Sequence, residues 1–312
     1  MISVIIPIYN TASKGLEHCL EAVANQSFQD LQVVLVDDGS TDGSGEICQK
    51  WVARDPRFEL IRQDNLGPAM ARNAGLMRAS GQEIAFVDSD DLPDVQMLEW
   101  LHSALVAEMA DMSMARYEST VEARFPLYAG SRLPGKEMLK GIFDYQTPVF
   151  KALYAKLFRR EVLCGLSFED LRTGEDIDFL SKVYVRVRLC ACIDQIVYRY
   201  NDWDDSIMHT QQASDYLDIL SCYENMVKRL ADVDEVIYGR ALDALMRKIV
   251  SSRYRNRLLK SRDLSARLVK LTSDYLPAYK ACENGNIWVK RAIISSIKMP
   301  WLHALIMNIR ER

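Results

Sequence analysis

Leu31-Gln32-Val33-Val34-Leu35-Val36-Asp37-Asp38-Gly39-Ser40 and Glu83-Ile84-Ala85-Phe86-Val87-Asp88-Ser89-Asp90-Asp91, whose acidic clusters begin 51 residues apart at Asp37 and Asp88, share one pattern. Each is a short apolar run rich in branched residues that ends abruptly in carboxylates. Runs of this kind, without polar alternation, fit strands buried on both faces of a central parallel sheet. Acids at their carboxyl ends fall where open α/β sheets bind ligands. Working outward, Ile2–Ile8 reads as a first strand closed by Pro7, and Leu16, Cys19, Leu20 and Val23 recur at helical spacing between Lys14 and Asn25. Thr41-Asp42-Gly43-Ser44 supplies capping residues for a helix containing Ile47, Trp51 and Val52. Phe58–Ile61 reads as a third strand. A helix over Pro68–Ala79 follows, with Pro68 near its start and Gly81 past its end. Strand–helix units of this length imply right-handed crossovers and a parallel sheet.

Beyond Asp94 a helix runs to about Glu108 and Met112–Tyr117 reads as a strand, after which the regular alternation is lost. Tyr154–Leu163, the segment around Gly174-Glu175-Asp176-Ile177-Asp178, and Ala191–Tyr200 still look ordered. From Ser214 the pattern turns helical, with Tyr216, Ile219, Leu220 and Tyr223 on one face. The expected organisation is an α/β, Rossmann-like domain over 1–213, divided near 117, and a helical region over 214–312. At 312 residues and 49% hydrophobic content the chain can bury a sizeable core. Seven scattered cysteines without a CxxC pair read as reduced packing thiols. Met1 leads straight into strand-like sequence with no leader pattern, and no apolar run reaches spanning length, so a cytoplasmic location is expected.

The acidic clusters carry the chemistry. Magnesium and manganese prefer carboxylate, water and phosphate oxygens, and one or two protein carboxylates suffice when a diphosphate supplies the rest. Asp88-Ser89-Asp90 meets that demand, and strand alternation would put Asp88 and Asp90 on one side. The competing reading is a turn followed by a helix capped by Asp91 or Asp94. The segment from Asn65 to Gly75 begins a helix whose free N–H groups, with Arg72 one turn in, could face an anionic ligand; its Ala and Gly residues equally suit close approach to the sheet. Neither a GxGxxG fingerprint nor a P-loop is present. Gly174-Glu175-Asp176 precedes Ile177, Phe179, Leu180 and Val183, which puts acids at a helix start; Glu175, Asp176 and Asp178 are all candidates for a base there. His209 follows Tyr198–Ser206 and reads as a loop histidine or as an added metal ligand.

Four segments together, Ser3-Val4-Ile5-Ile6-Pro7-Ile8-Tyr9-Asn10, Val36 to Asp42, Ala71-Arg72-Asn73-Ala74-Gly75 and Phe86 to Asp91, resemble the successive motifs of family 2 glycosyltransferases of the GT-A fold. Lys156 to Arg160, Gly174 to Phe179 and Tyr198-Arg199-Tyr200 also resemble the bacterial members that build surface polysaccharides. The resemblance covers roughly residues 1–210. It implies an inverting transfer from a nucleotide sugar, with a UDP-sugar favoured, to a growing glycan or lipid-linked acceptor, assisted by Mn2+ or Mg2+. It further implies that Pro7, Tyr9 and Asp38 line the nucleobase pocket and that Ala71 and Arg72 border the nucleotide. Asp88 would approach the ribose or sugar beside Ser89 and act as second metal ligand, Asp90 would be the main ligand, and Asp176 the catalytic base. A catalytically silent nucleotide-binding subunit is the alternative. A sugar nucleotidyltransferase is less compatible, since Tyr9-Asn10-Thr11-Ala12 stands where a Gly-rich, Arg-containing loop is expected.

Charge separates the tail from the body. Residues 251–312 hold 13 Lys+Arg against 4 Asp+Glu, whereas the first 250 hold 26 against 39. Apolar faces through Ile287–Ile309 with Lys290, Arg291, Lys298, Arg310 and Arg312 around them fit either a helix lying on a membrane surface or a pair packed on protein. Peripheral contact with the inner face of the plasma membrane is therefore an expected partner interaction. Nucleic acid is not, because no zinc-finger spacing or RRM-like motif accompanies the charge.

Overall fold

The computed structural model describes residues 1–119, 130–144, 147–201, 212–282, 290–291 and 293–295. Two compact units divide it, Met1–Asp204 and Asp205–Arg312. The first holds a nine-stranded sheet. Its leading half is built from β1 (Ile2–Ile8), α1 (Leu16–Ala24), β2 (Leu31–Asp37), α2 (Ser44–Arg54), β3 (Phe58–Arg62), α3 (Pro68–Arg78) and β4 (Glu83–Phe86). These strands pair in parallel in the order β3-β2-β1-β4, so the chain reverses its direction of growth between β1 and β4. β2 is buried along its whole length and β1 is buried at every residue but Pro7, which accounts for their unbroken apolar sequences.

The second half continues the same sheet in mixed orientation. It comprises β5 (Leu92–Pro93), α4 (Met97–Ala107), β6 (Met112–Ser119), β7 (Arg132–Leu133), α5 (Gly135–Ile142), β8 (Lys156–Arg159), α6 (Arg160–Leu163), α7 (Glu175–Arg186) and β9 (Cys190–Tyr200). β8 runs antiparallel between β4 and β6, β9 lies parallel to β6, and the two-residue β5 and β7 pair antiparallel with β9. The apparent loss of order after Tyr117 is thus a change of strand direction within one sheet.

α3 sits unusually close to that sheet. A Cβ on Gly75 would fall 2.3 Å from Ile5 Cγ2, well inside van der Waals contact, so only glycine lets the helix pack at this depth. Ala71 packs with Val34 and Val36 on the same side, with Ile61 and Ala74 beside them. The second unit contains α8 (Ala213–Leu230), α9 (Glu235–Leu259) and α10 (Arg262–Ala281). Leu220, Met226, Leu230, Leu242, Leu245, Ile249, Leu264 and Leu271 are fully buried. Arg267 and Tyr275 both engage Glu224, tying α10 to α8. All seven cysteines are free and five are buried. Among the described residues no helix is long and apolar enough to cross a membrane.

Candidate functional site

The carboxyl ends of β1, β2 and β4 lie side by side, because Ile8 pairs with Asp37 and Ile5 with Phe86. Beyond them come Tyr9, Asp38 and the turn from Asp88 to Asp91. β4 stops at Phe86, four residues short of the Asp90 that strand alternation would have to reach, and the Asp91 N–H closes a turn onto the Asp88 carbonyl at 3.2 Å. The acids are therefore placed by a turn, not by the pleat. The end of β9 shapes that turn. The Asp88 N–H donates to the Tyr198 hydroxyl at 3.0 Å. Asn201 donates its side-chain amide to the Asp90 carbonyl and its backbone N–H to Asp91 Oδ1, both at 2.8 Å. Asp91 is accordingly no helix cap. α4 begins after Gln96, with Asp94 Oδ1 accepting the Gln96 N–H.

Each neighbouring acid has its own work. Asp37 is fully buried and paired with Arg62 at 3.1 Å, so it holds the strand end. Asp38 accepts from the Gln63 side chain and from the Leu66 and Gly67 N–H groups at 2.7–2.9 Å, fastening the loop before α3. Three of its about four acceptor positions are thereby engaged within the protein. Tyr9 is exposed and Pro7 half-buried. Ser89 is buried and accepts from the Thr11 hydroxyl at 3.1 Å. Ala71, fully buried in its apolar cluster, offers no side-chain surface to a ligand.

Arg72 departs most from expectation. Its guanidinium does not face open solvent with free charge; it is buried among three carboxylates. Nη2 donates to Asp88 Oδ1 at 2.9 Å and Nη1 to Glu175 Oε1 at 2.9 Å, while Asp176 Oδ1 stands 3.0 Å from Nη1 without hydrogen-bond alignment. The helix start that brings the last two acids in is made by Gly174 at φ 84°, a left-handed residue ahead of α7. Asn73 fixes the spacing between α3 and the segment before α7, donating to the Phe168 carbonyl at 2.9 Å and accepting its N–H at 2.8 Å. Phe168 in turn stacks on Phe179 and lies beneath the Arg72 guanidinium.

The three candidate bases differ in exposure and in partners. The Asp178 side chain is 0% exposed and pairs with Lys182 at 3.1 Å, so no acceptor reaches it. Glu175, 12% exposed, takes the aligned bond from Arg72. Asp176, at 24%, is the most exposed of the three, and its buried Oδ1 stands 3.0 Å from Arg72 Nη1 without hydrogen-bond alignment. Burial pushes its pKa up to about 8, with Arg72 pulling down and Glu175 and Asp88 adding to the rise. Asp91 rises to about 9 through burial and the charges of Asp88 and Asp90. Lys156 goes down to about 7 because it is buried, its amine donating to the Val149 and Ala152 carbonyls at 2.6 and 2.5 Å.

An acid with a higher pKa folded than unfolded binds more protons when folded, so stability falls as pH climbs from the unfolded to the folded value. For Asp176 and Asp91 that window runs from about 4 to about 8 and about 9. Lys156 acts oppositely, adding stability above about 7. Between about pH 5 and pH 7 the raised carboxyls, Glu175 among them, act before Lys156 does. The melting temperature of the cation-free protein is expected to fall across that interval; a rise would contradict the assignment.

The acidic turn offers the kind of donor that a hard divalent cation prefers. Asp88 and Asp90 offer only oxygen ligands, and beside them Asp91 Oδ2 is buried without a hydrogen-bond partner. Among the described residues no group of three or more His, Cys, Asp or Glu side chains forms a metal cage. The set suits a cation completed by a diphosphate. His209 lies outside the described residues.

The family model for Glycosyl transferase family 2 matches residues 3–165. Glycosyltransferase GlyG of Streptococcus pneumoniae serotype 4 is 32% identical over 223 residues, covering 68% of this chain and 74% of that one. In fold, S. aureus TarS 1–349 superposes with a TM-score of 0.67 at 21% identity over 96% of this chain and 91% of that chain, and it has also been crystallised with UDP-GlcNAc. Glucosyl-3-phosphoglycerate synthase from Mycobacterium tuberculosis, solved with Mn2+ and UDP, gives 0.52 at 19% identity over 72% and 80% of the two chains.

Proposed function

The chain belongs to glycosyl transferase family 2 and is an enzyme of the transferase class, and from that premise we propose that it transfers a sugar from a nucleotide diphosphate donor with inversion, aided by Mn2+ or Mg2+. A UDP-sugar is the favoured donor, and the acceptor is a hydroxyl of a growing surface glycan or lipid-linked glycan. The transferase body is assigned to residues 1–213, with 214–312 an appended helical region. The observation that carries the reading is the Arg72 node, which joins Asp88 of the acidic turn to Glu175 and Asp176 at the start of α7. Donor-side and acceptor-side carboxylates thus share one guanidinium, the proximity that a single displacement needs.

In this reading the exposed Tyr9 and Pro7 flank the nucleobase. Asp38 holds the 63–67 loop that completes the pocket, and its remaining lone pair reads the base edge. Ala71 sets the depth of α3 from within the core. Asp90, with Asp88 second, would hold the cation, which supplies electrostatic stabilisation to the departing diphosphate. Asp176 takes the proton from the acceptor hydroxyl. Its raised pKa makes it a stronger base once ionised and puts it near neutral operating pH. Glu175 keeps Arg72 in register, and no covalent enzyme intermediate is needed.

Inversion is tested by the anomer first released when the donor is hydrolysed slowly in the absence of acceptor. From an α-linked UDP-sugar, proton NMR should show the β-sugar forming ahead of mutarotation. First appearance of the α-sugar would overturn the single-displacement reading.

A further inference from the structure

The corner between α9 and α10 carries a surface that sugar transfer does not explain. α9 ends at Leu259, Lys260 adopts a left-handed conformation at φ 52°, and the Ser261 hydroxyl caps α10 by accepting the Leu264 N–H at 3.2 Å. Asn256 ties the two helices together. Its amide donates to the Ser261 carbonyl at 3.1 Å and to the Ser265 hydroxyl at 2.8 Å, and its oxygen accepts the Ser261 N–H at 2.9 Å. The corner is therefore built and capped, not frayed.

On this fixed corner Leu258 is 74% exposed, Tyr254 43% and Leu259 39%. Single exposed apolar residues are ordinary on protein surfaces, so the leucines alone would mean little. Their setting is what matters. Residues 251–270 hold seven Lys or Arg and one acid, Asp263, in a chain whose first 250 residues are acidic. Two of the seven turn inward: Arg253 donates to Thr272 Oγ1 at 2.7 Å and Arg267 pairs with Glu224. Arg255, Arg257, Lys260 and Arg262 are exposed and make no ion pair among the described residues. Helical spacing stacks Leu258 over Tyr254 and Leu259 over Arg255. Apolar side chains and outward cations therefore occupy one small corner.

We infer that the α9–α10 corner docks onto an anionic bilayer, with Leu258, Leu259 and Tyr254 entering the boundary between headgroups and acyl chains and Arg255, Arg257, Lys260 and Arg262 meeting lipid phosphates. The cations select an anionic partner, and the leucines select one with an apolar layer directly beneath its charge, which a nucleic acid does not offer. Such docking would bring the enzyme to a lipid-linked acceptor. It rests on the proposed function only for that purpose, since the surface exists whatever the reaction.

Flotation of the full chain with phosphatidylcholine vesicles, with and without phosphatidylglycerol, tests it in the absence of donor and acceptor. Binding is expected only to the anionic vesicles and should weaken with salt. Each cation removed should cost about fivefold in affinity, so Arg255→Ser/Arg257→Ser/Lys260→Ser should bind on the order of 100-fold more weakly. Leu258→Ser/Leu259→Ser should also release the protein. All variants should keep the far-UV spectrum of the parent, because every substituted side chain is exposed. Residues 287–309 are unchanged throughout, so they contribute equally to each comparison. Absence of binding, equal binding to both vesicle types, undiminished binding by both variants, or self-association of the parent that the leucine variant abolishes would each overturn the inference. Donor binding measured separately keeps its failure distinct from failure of the transferase reading.

Discussion

Asp176→Asn is expected to lower turnover by about 10²- to 10⁴-fold, the range a general base contributes, while leaving donor affinity unchanged. The split between turnover and binding is the informative part. Asn keeps the size of the side chain and its place at the start of α7, but it cannot accept the acceptor's proton. Glu175→Gln should behave differently, because Glu175 is engaged by the aligned bond from Arg72 and acts by positioning. Its loss should be smaller, and acceptor KM should move along with kcat. Asp178→Asn should damage folding more than chemistry, since its fully buried carboxylate is paired with Lys182. Equal losses of turnover in all three variants, with stability intact, would leave no ground for singling out Asp176.

Arg72→Met should be the most damaging substitution at the site. The guanidinium is the shared partner of Asp88, Glu175 and Asp176, and its own pKa moves well above the ordinary value because the three acids outweigh the penalty of burial. Removing it leaves carboxylates packed together without a counter-charge. Breaking a buried pair in this way costs about 3–5 kcal/mol. Urea unfolding should show that loss, and transfer should disappear because both halves of the site lose their common anchor. Arg72→Lys should recover part of the stability but little activity, since one ammonium nitrogen cannot occupy the separate positions of Nη1 and Nη2. An Arg72→Met protein that unfolds like the parent and still turns over would show that the node organises nothing.

Much of the first half could be read from the residues alone. β1, β2 and β4 announce themselves because strands covered on both faces must be apolar throughout, and Pro68 with Gly81 marks the limits of α3. The second half was harder for a physical reason. β5 and β7 are two residues long and can have no period, and β8 is a four-residue antiparallel insertion between β4 and β6 whose sequence carries no sign of direction. The acids of the site were visible as strand ends and as a helix start, but their partners within the fold were not. Asp88 and Arg72 lie 16 residues apart, whereas Arg72 and Glu175 lie 103 apart and meet only because Asn73 clasps the backbone at Phe168. The choice among Glu175, Asp176 and Asp178 depends on hydrogen-bond alignment and on one turn of helix, which no spacing rule encodes. Ala71, which the family resemblance sets beside the nucleotide, is a small residue on the face of α3 that packs on Val34 and Val36 of β2.

The most direct test of the account is calorimetric titration with UDP-glucose, UDP-galactose, their N-acetyl forms, UDP-glucuronate, GDP-mannose and dTDP-rhamnose, each with and without Mn2+. The account predicts cation-dependent binding of one donor, lost in Asp90→Ala and preserved in Asp176→Asn. A folded protein that binds none of these donors with Mn2+ present, or that binds one equally well in Asp90→Ala, would contradict it.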